Sequence, residues 1–243
     1  MRVWTEDAVA ELAPQGVLRA AINLGNSVLA QRKADGSLTG VTVALAGELA
    51  RRLGVPCELI PFDAAGKVLE ACREGRWDVA FVAIEPARAL EMSFSPPYAR
   101  IDGTYMVRDE SPLTTPEDVD AAGIRIAVGN GSAYDLYLTR TIRDAEIVRA
   151  HTGGGKAMIE LYLEKNLDAV AGIRQDLEAY AARHEGFRVM ESGFMEINQA
   201  LAVPKGRPRA LEGICAFVEE VKASGFAARA FEKNGQPASI AIA

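Results

Sequence analysis

The 243-residue sequence predicts an α/β fold made of two similar three-layer lobes, joined by two crossovers and enclosing a cleft between them. Short apolar runs alternate with segments of helical period along nearly the whole chain, a pattern typical of βαβ units around a largely parallel sheet. Two stretches of the chain also recur, each with the same order of secondary-structure signals. The alternation predicts the α/β class, and the recurrence predicts the second lobe.

Buried strands and amphipathic helices can be placed along the chain in order. Between the first two strands lies a helix expected over Val43–Leu53, with leucines at every fourth residue on one face. Gly54 follows it, as expected of a glycine that ends a helix. A later helix is expected over Tyr134–Arg140. The apolar runs predict seven strands, at Val17–Ile22, Cys57–Phe62, Val79–Ala83, Ile124–Val128, Glu146–Ala150, Ala169–Ala171 and Ala200–Val203.

The recurrence is clearest in a helix, turn and strand that occur twice. The segment VLEACREGRWDVAFVA at Val68–Ala83 is matched by MIELYLEKNLDAVAGI at Met158–Ile173, with Asp78 and Asp168 in equivalent positions. A second match pairs GVLRAAINLGNS, early in the chain, with GIRIAVGNGS in its middle. Generic α/β patterning within one sheet is the alternative explanation. We interpret the two matches together as two related lobes.

The lobe boundaries follow from where the matches stop. We expect residues 1–100 plus 196–243 to form one lobe and residues 101–195 the other, with a crossover in the Pro- and Gly-bearing stretch Ser95–Gly103. The segment from Ala200 to Lys233 has no counterpart in the second lobe, so we expect it to return to the first. Ligands of open α/β sheets bind outside the carboxyl ends of the strands, which places the site between the facing lobes.

Composition excludes several classes of protein. A net charge of −6 and a pI near 5.2 disfavour nucleic-acid binding. The cysteines Cys57, Cys72 and Cys215 are odd in number and widely spaced, so we expect buried thiols rather than a disulfide framework or a zinc site. His151 and His184 are the only histidines, which leaves little material for a catalytic triad or a metal site. No apolar run is long enough to insert into a membrane. We therefore expect no metal and no cofactor.

The segment Ile84–Arg88 follows a buried strand and carries the main candidate for ligand binding. Pro86 suits a first helical turn, which places Glu85 near the N-cap and Arg88 one turn later. The planar guanidinium of an arginine binds a carboxylate through two parallel hydrogen bonds. Arg88 is thus a candidate carboxylate ligand, with an ordinary surface arginine as the alternative. Glu85 either caps the helix through its dipole or meets a group on the ligand.

The loop at Gly129–Ala133 is the matching candidate in the second lobe. It joins a strand to a helix, and the start of a helix presents unpaired N–H groups and the positive end of the dipole to an anion. Plain turn chemistry is the alternative, because Asn-Gly pairs are typical of turns. The sequence match places this loop opposite Arg88. We therefore expect Gly131 and Ser132 to contact the same anion from the facing lobe.

The order and content of these segments resemble the family-3 extracellular solute-binding proteins, which have the type-2 periplasmic binding fold of amino-acid ABC transporters. The resemblance runs from about Gly16 to Lys233. It implies two lobes that close by hinge motion, with Arg88 holding the ligand's α-carboxylate. Its strongest marks are GVLRAAI at the first strand, GRWDVAF at Gly75–Phe81, Pro86–Arg88 followed by MSFSPPY, PEDVDAAGIRIAVGNGS at Pro116–Ser132, and LDAV at Leu167–Val170.

The departures from the family pattern concern the ligand's ammonium group. Members that bind amino acids usually carry small hydroxyl residues where this chain has Ala83 and Glu85, and an Asp where it has Ile173. The carboxylate ligand is kept while the usual ammonium partner is missing. Either Glu85 replaces that partner, or the ligand has no ammonium.

The remaining candidates flank these positions. The aromatic-rich loop that usually follows the first strand is replaced by Asn23–Ser27. Asn23 and Asn26 are therefore candidates for contacting other polar groups of the ligand. Tyr98 is a candidate on the hinge side of the cleft.

The sequence as a whole predicts a monomeric binding protein without catalytic residues, which closes on a small carboxylate-bearing ligand such as an amino acid or related organic acid. An ABC permease is the expected partner and the periplasm the expected location, with the signal peptide not part of this chain. One alternative is a cyclohexadienyl-dehydratase-like enzyme that uses Glu85 as a general acid. Another is a cytoplasmic metabolite-sensing domain, because Met1–Gly16 lacks the features of a signal peptide.

Overall fold

The computed structural model describes residues 4–151 and 154–242, and it confirms the α/β class. Its strands are β1 (Leu18–Asn23), β2 (Gln31–Arg32), β3 (Leu38–Thr39), β4 (Cys57–Phe62), β5 (Val79–Ala83), β6 (Met92–Arg108), β7 (Arg125–Gly129), β8 (Glu146–Ala150), β9 (Ala169–Ile173), β10 (Phe187–Val189) and β11 (Met195–Pro204). Its α-helices are α1 (Glu6–Leu12), α2 (Val41–Leu53), α3 (Ala65–Arg73), α4 (Ala133–Thr141), α5 (Gly154–Glu164), α6 (Arg174–Ala181), α7 (Pro208–Ala223) and α8 (Phe226–Lys233).

Each of the seven predicted strands overlaps an observed strand, and both predicted helices are present as α2 and α4. Gly54 ends α2 with a φ of 74°, in the left-handed region that glycine occupies without steric cost. The strands β2, β3, β6 and β10 were not predicted. Three of these are only two or three residues long, which is too short for an alternating pattern to be recognised.

The main sheet has the strand order β4-β1-β5-β11-β6-β9-β7-β8, with β10 pairing β6. In the first half, β1 lies between β4 and β5 and is parallel to both. In the second half, β7 lies between β8 and β9, again with parallel pairing. The two halves therefore share one topology, in which the earliest strand is central, and the long strands β6 and β11 lie between them.

The repeat extends to hydrogen bonds around one aspartate in each half. Asp78 donates its N–H to the carbonyl of Arg19 over 2.8 Å and accepts from the Arg19 N–H. Asp168 makes the same two bonds with Arg125. The surroundings differ, because Asp78 is fully buried and also pairs with Arg207, whereas the Asp168 side chain is 38% exposed. The matched sequence segments are thus also matched in structure.

The strand β6 contains the stretch Ser95–Gly103 that the sequence marks as a crossover. Its pairing with β11 has register shifts around Ala200, which lies opposite Pro97. Proline has no N–H to donate to the ladder, which is why an extended prolyl segment is irregularly paired. The two prolines also explain why the sequence did not predict a strand here.

Helices cover both faces of the sheet in the first half. Ala21 and Ala80 belong to a small core beneath α3 that includes Trp77, while their neighbours Ala20 and Phe81 point to the larger core on the opposite face. Alternate residues of a strand point to opposite faces, so a run of buried residues requires cover on both sides. This arrangement is the three-layer lobe that the sequence predicts.

The C-terminal segment packs against the N-terminal helix and the two long strands. The helix α7 packs on β6, β11 and α1. Gly213 in α7 allows close contact with Trp4, because a Cβ atom at this position would lie 2.2 Å from the indole ring. Among the described residues, no helix combines the length and apolar character that a membrane span requires.

Candidate functional site

A cavity lies between the two halves of the sheet and holds about 560 Å³ of space, part of it continuous with solvent. The last residues of five strands line it: Asn23, Ala83, Gly129, Ala150 and Ile173. This is the position that ligands occupy in open α/β sheets, outside the carboxyl ends of the strands. The rest of the lining is formed by Gly25, Asn26, Ala64, Ala65, Arg88, Asn130, Ser132, Ala133, Tyr134, His151, Ile197 and Gln199.

Arg88 contributes the guanidinium of the first half to the cavity wall. It starts a short 3-10 turn, Arg88–Leu90, and it is 2% exposed. Its Nη1 donates to the carbonyl of Ala83 over 2.9 Å, and its Nη2 donates to the carbonyl of Gly131 over 3.0 Å. Burial lowers the pKa of Arg88 to about 10, and the negative charge of Glu85 opposes the shift, so the side chain remains a cation at neutral pH.

The loop of the second half faces Arg88 and is held by its own side chains. Ser132 is the N-cap of α4, and its hydroxyl accepts from the N–H of Asp135 over 3.0 Å. The Asp135 carboxylate in turn accepts from the N–H of Gly131 over 2.8 Å and pairs with Arg149 at 2.9 Å. Asp135 and Arg149 were not identified from the sequence, although an Asp three residues after an N-cap serine is a capping pattern.

Gly131 brings the second half against the first. Its φ of 69° lies in the left-handed region, and a Cβ atom there would lie 3.0 Å from the Cα of Gly66 in α3. Both the conformation and the contact favour glycine at this position. Its carbonyl is therefore free to approach the guanidinium of Arg88 across the cavity.

Neutral amides form much of the polar lining. Asn23 accepts from the N–H of Gly25 over 3.0 Å. Asn26 is buried, and its Oδ1 has no hydrogen-bond partner among residues 4–151 and 154–242. Gln199 on β11 is also buried at the cavity and was missed by sequence reasoning. The sequence marks Gln199 only as a polar residue directly before the apolar run Ala200–Val203.

Glu85 lies outside the cavity lining and is engaged across the cleft. It is 3% exposed, and its two carboxylate oxygens accept from Nη1 and Nη2 of Arg140 at 2.8 and 2.9 Å. Arg140 belongs to α4 in the second half, 55 residues away in sequence. The structure thus gives Glu85 an arginine partner in place of the ligand group or helix cap that the sequence suggested.

Tyr98 is likewise not among the cavity residues. It lies on β6, and its ring is fully buried in the larger core. Burial raises the pKa of Tyr98. Of the sequence candidates, the structure brings Asn23, Asn26, Arg88 and Ser132 to one cavity. Gly131 is not part of the lining, but its carbonyl accepts a hydrogen bond from Arg88.

A metal ion needs a grouping of acidic, histidine or cysteine side chains to hold it. Within residues 4–151 and 154–242, no three His, Cys, Asp or Glu side chains are grouped so that they could hold a metal ion. The three cysteines are free thiols, and burial raises the pKa of each.

Comparison with known proteins identifies relatives of this arrangement. The L-cystine-binding protein TcyJ of Escherichia coli (strain K12) is 26% identical over 199 residues, covering 79% of this chain and 72% of that protein. The solute receptor for L-cysteine of Neisseria gonorrhoeae has a TM-score of 0.83 at 21% identity, covering 97% and 99% of the two chains. The ancestral amino acid-binding protein AncCDT-1, a precursor of cyclohexadienyl dehydratase, has a TM-score of 0.77 at 22% identity, covering 93% and 97%.

The structural relatives share the periplasmic binding protein-like fold, with its two halves around a cleft. The model of the bacterial extracellular solute-binding proteins, family 3, matches residues 18–237, which include every strand described above and all the cavity residues. This chain therefore belongs to the bacterial extracellular solute-binding proteins of family 3.

Proposed function

We propose that this protein is the solute-binding component of an ABC-type importer and closes on a small carboxylate-bearing ligand, an amino acid or a related organic acid. Arg88 binds the carboxylate from the first half, and the loop Gly131–Ser132 completes the site from the second. The ligand's other polar groups meet Asn23 and Asn26.

The observation that carries this proposal is the state of the Arg88 guanidinium. It is buried and positively charged at a cavity between two halves of the molecule, and its protein partners are two neutral carbonyl oxygens. A guanidinium has five N–H groups in a planar fork, so donors remain for a further acceptor. A carboxylate supplies both the missing negative charge and the matching geometry.

The proposed motion is a hinge closure of the two lobes, residues 1–100 with 196–243 and residues 101–195. Strands β6 and β11 run between the halves and supply the two connections that a hinge needs. Contacts of Arg88 with Gly131, and of Glu85 with Arg140, join the lobes across the cleft. They belong to the closed form and separate on opening.

We further propose that the protein binds without catalysing a reaction. A dehydratase mechanism with Glu85 as general acid needs that carboxyl group at the ligand. Both of its oxygens instead accept hydrogen bonds from Arg140, so the carboxyl group is engaged outside the cavity lining. Incubation with prephenate and arogenate is expected to give no aromatic product over hours, and sustained turnover lost in Glu85→Gln would contradict this.

The extracellular description of the family supports a periplasmic location and an ABC permease as the partner. We expect the monomer to be the binding unit. Fractionation of the native host is expected to recover the protein with periplasmic markers. Recovery in the cytoplasm would instead favour a metabolite-sensing role.

The direct test is a ligand screen with matched variants. Amino acids, dicarboxylates and aromatic acids are added to the wild type in a thermal-shift assay, and positives are titrated by calorimetry. A ligand at 100 times its Kd stabilises the folded state by about 2.7 kcal/mol, which is readily seen as a rise in Tm. The rise should be much smaller in Arg88→Ala and persist in the exposed control Arg209→Ala. An equal rise in Arg88→Ala would contradict the proposal.

A further inference from the structure

The permanent charge of the cavity lining is of one sign, positive. Among the described residues that line it, Arg88 is the one permanently charged side chain, and none is a carboxylate. Ionisable groups other than Arg88 in the lining are His151 and Tyr134. A cation buried without a negative partner is costly, and a second cation beside Arg88 would be repelled.

The acidic side chains around the cavity are all directed elsewhere. Glu85 is bound through both oxygens by Arg140 at 2.8 and 2.9 Å. Asp135 accepts from the Gly131 N–H and pairs with Arg149. Each carboxylate is thus neutralised by its own arginine, and neither leaves an oxygen in the cavity lining. The two pairs contribute no net negative charge to the cleft.

Asp176 is the third nearby acid. It lies in the first turn of α6 and accepts a hydrogen bond from the hydroxyl of Ser27 across the cleft. It lines a neighbouring groove rather than this cavity. Burial raises the pKa of Asp176, with the Ser27 hydrogen bond acting in the opposite direction, so the site does not favour a negative charge there.

Part of the described lining is apolar and carries no acid that could pair with an ammonium. Ile173 ends β9 at the cavity and is 5% exposed, and Ile197 and Ala83 line the same space. The neutral amides of the lining are those of Asn23, Asn26, Asn130 and Gln199, beside the hydroxyls of Ser132 and Tyr134. Amides both donate and accept hydrogen bonds, so they suit hydroxyl or carbonyl groups.

We infer that the ligand is a carboxylic acid without an ammonium group, of the 2-hydroxy or 2-oxo acid class, and that Ile173 excludes the corresponding amino acids. The inference rests on the proposed function, because it takes Arg88 as the carboxylate ligand. An α-hydroxyl or α-keto oxygen sits in the cavity without adding charge. An α-ammonium must give up its hydration for a lining with no anion.

Matched series of acids test the inference. Calorimetry compares L-leucine, L-2-hydroxyisocaproate and 2-oxoisocaproate, then the phenylalanine and glutamate series built in the same way. Within any series that binds, the hydroxy or oxo acid is expected to bind at least about tenfold more tightly than the amino acid, as for a charge left unpaired on burial. An amino acid that binds as tightly as its hydroxy partner would overturn the inference.

Position 173 provides a gain of function with a matched control. Ile173→Asp adds a carboxylate to the wall, and Ile173→Asn adds the same shape without charge. Relative to Ile173→Asn, Ile173→Asp is expected to shift the preference toward the amino acid by about tenfold or more. Equal preferences in the two variants would count against Ile173 as the specificity residue. If Ile173→Asp does not fold, the wild-type series still decides the ligand class.

The outcomes separate this inference from the proposed function. If an amino acid binds best and Arg88→Ala abolishes its binding, the carboxylate site at Arg88 is supported and the inference that the ligand lacks an ammonium is wrong. If the hydroxy or oxo acids bind equally well to wild type and Arg88→Ala, the proposed function fails instead. If no member of any series binds, both are overturned.

Discussion

The two faces of the cleft offer a ligand different kinds of group. The first face presents the side chain of Arg88, held by the carbonyl of Ala83. The second presents the backbone at the start of α4, whose position depends on Asp135 and Arg149 behind it. The first face is therefore open to direct mutation of the binding group. At the α4 loop of the second face, a mutation acts on the carboxylate through residues that position the backbone, such as Asp135 and Arg149.

The largest expected effect is on the first face. Arg88→Ala removes the guanidinium and leaves the ligand's carboxylate unpaired in the cleft, which costs about 2–5 kcal/mol, or roughly 30-fold or more in Kd. Arg88→Lys should also bind weakly, because an ammonium cannot reproduce the planar fork. Calorimetry with the tightest-binding acid of the screen measures the Kd of each variant. An unchanged Kd in Arg88→Ala would contradict the role of the first face as the source of the binding side chain.

The next effect tests whether the second face depends on residues behind the loop. Asp135→Asn breaks the ion pair with Arg149 and weakens the bond to Gly131. Because Asp135 is buried, we expect the free energy of unfolding to fall by roughly 1–3 kcal/mol, with a smaller increase in Kd. Urea unfolding and calorimetry measure the two quantities. The exposed Asp144→Asn serves as the control, and a loss in Asp135→Asn no larger than in the control would contradict the positioning role.

A smaller effect on ligand affinity is expected at the ion pair Glu85–Arg140, where the two faces are in contact. Glu85→Gln, Arg140→Gln and their double variant form a cycle for the ion pair across the cleft. Arg140 is 43% exposed, so solvent screening reduces the pair, and we expect a coupling of about 1 kcal/mol in ligand affinity that weakens in high salt.

The ion pair Arg73–Glu91 lies within the first half and provides the control for this cycle. Its cycle should show no coupling in Kd, since closure does not bring these residues together. Strict additivity of Glu85→Gln and Arg140→Gln would mean that their contact does not contribute to the closed form.

The smallest effect is expected from the N-caps. Ser132→Ala at α4 and Thr5→Ala at α1 each remove a hydroxyl that accepts from a helix N–H. Both should lower the free energy of unfolding by about 0.5–1 kcal/mol. Only Ser132→Ala should also weaken ligand binding, because Ser132 lines the cavity and Thr5 does not. Equal Kd values in both variants would show that the α4 cap is structural only.

The sequence predicted all six parallel strands, and the inner ones are clearest because burial on both faces leaves continuous apolar runs, as in β5 and β9. It also predicted the repeat, since Asp78 and Asp168 make equivalent bonds with Arg19 and Arg125. The strand β6 was missed because its prolines disfavour a strand locally, whereas in the structure its pairing with β11 keeps the segment extended. Strand pairing of this kind depends on distant parts of the chain.

The limits are clearest at the site. Arg88 could be identified from its place after a buried strand, and the structure puts it at the cavity. The partner of Glu85 could not be identified, because Arg140 lies 55 residues away in the sequence and only the folded chain brings the two together. Tyr98 was misplaced for a similar reason, since the direction of a side chain on β6 depends on a register that the sequence did not define.

The central claim, that Arg88 recognises a carboxylate, is tested most directly by changing both partners. Calorimetry compares the tightest-binding acid of the screen with its carboxamide, in the wild type and in Arg88→Ala. We predict that the wild type loses roughly 30-fold or more on the change to the amide, and that Arg88→Ala, having already lost the contact, shows little further change. A wild-type protein that binds the amide as tightly as the acid would contradict the account.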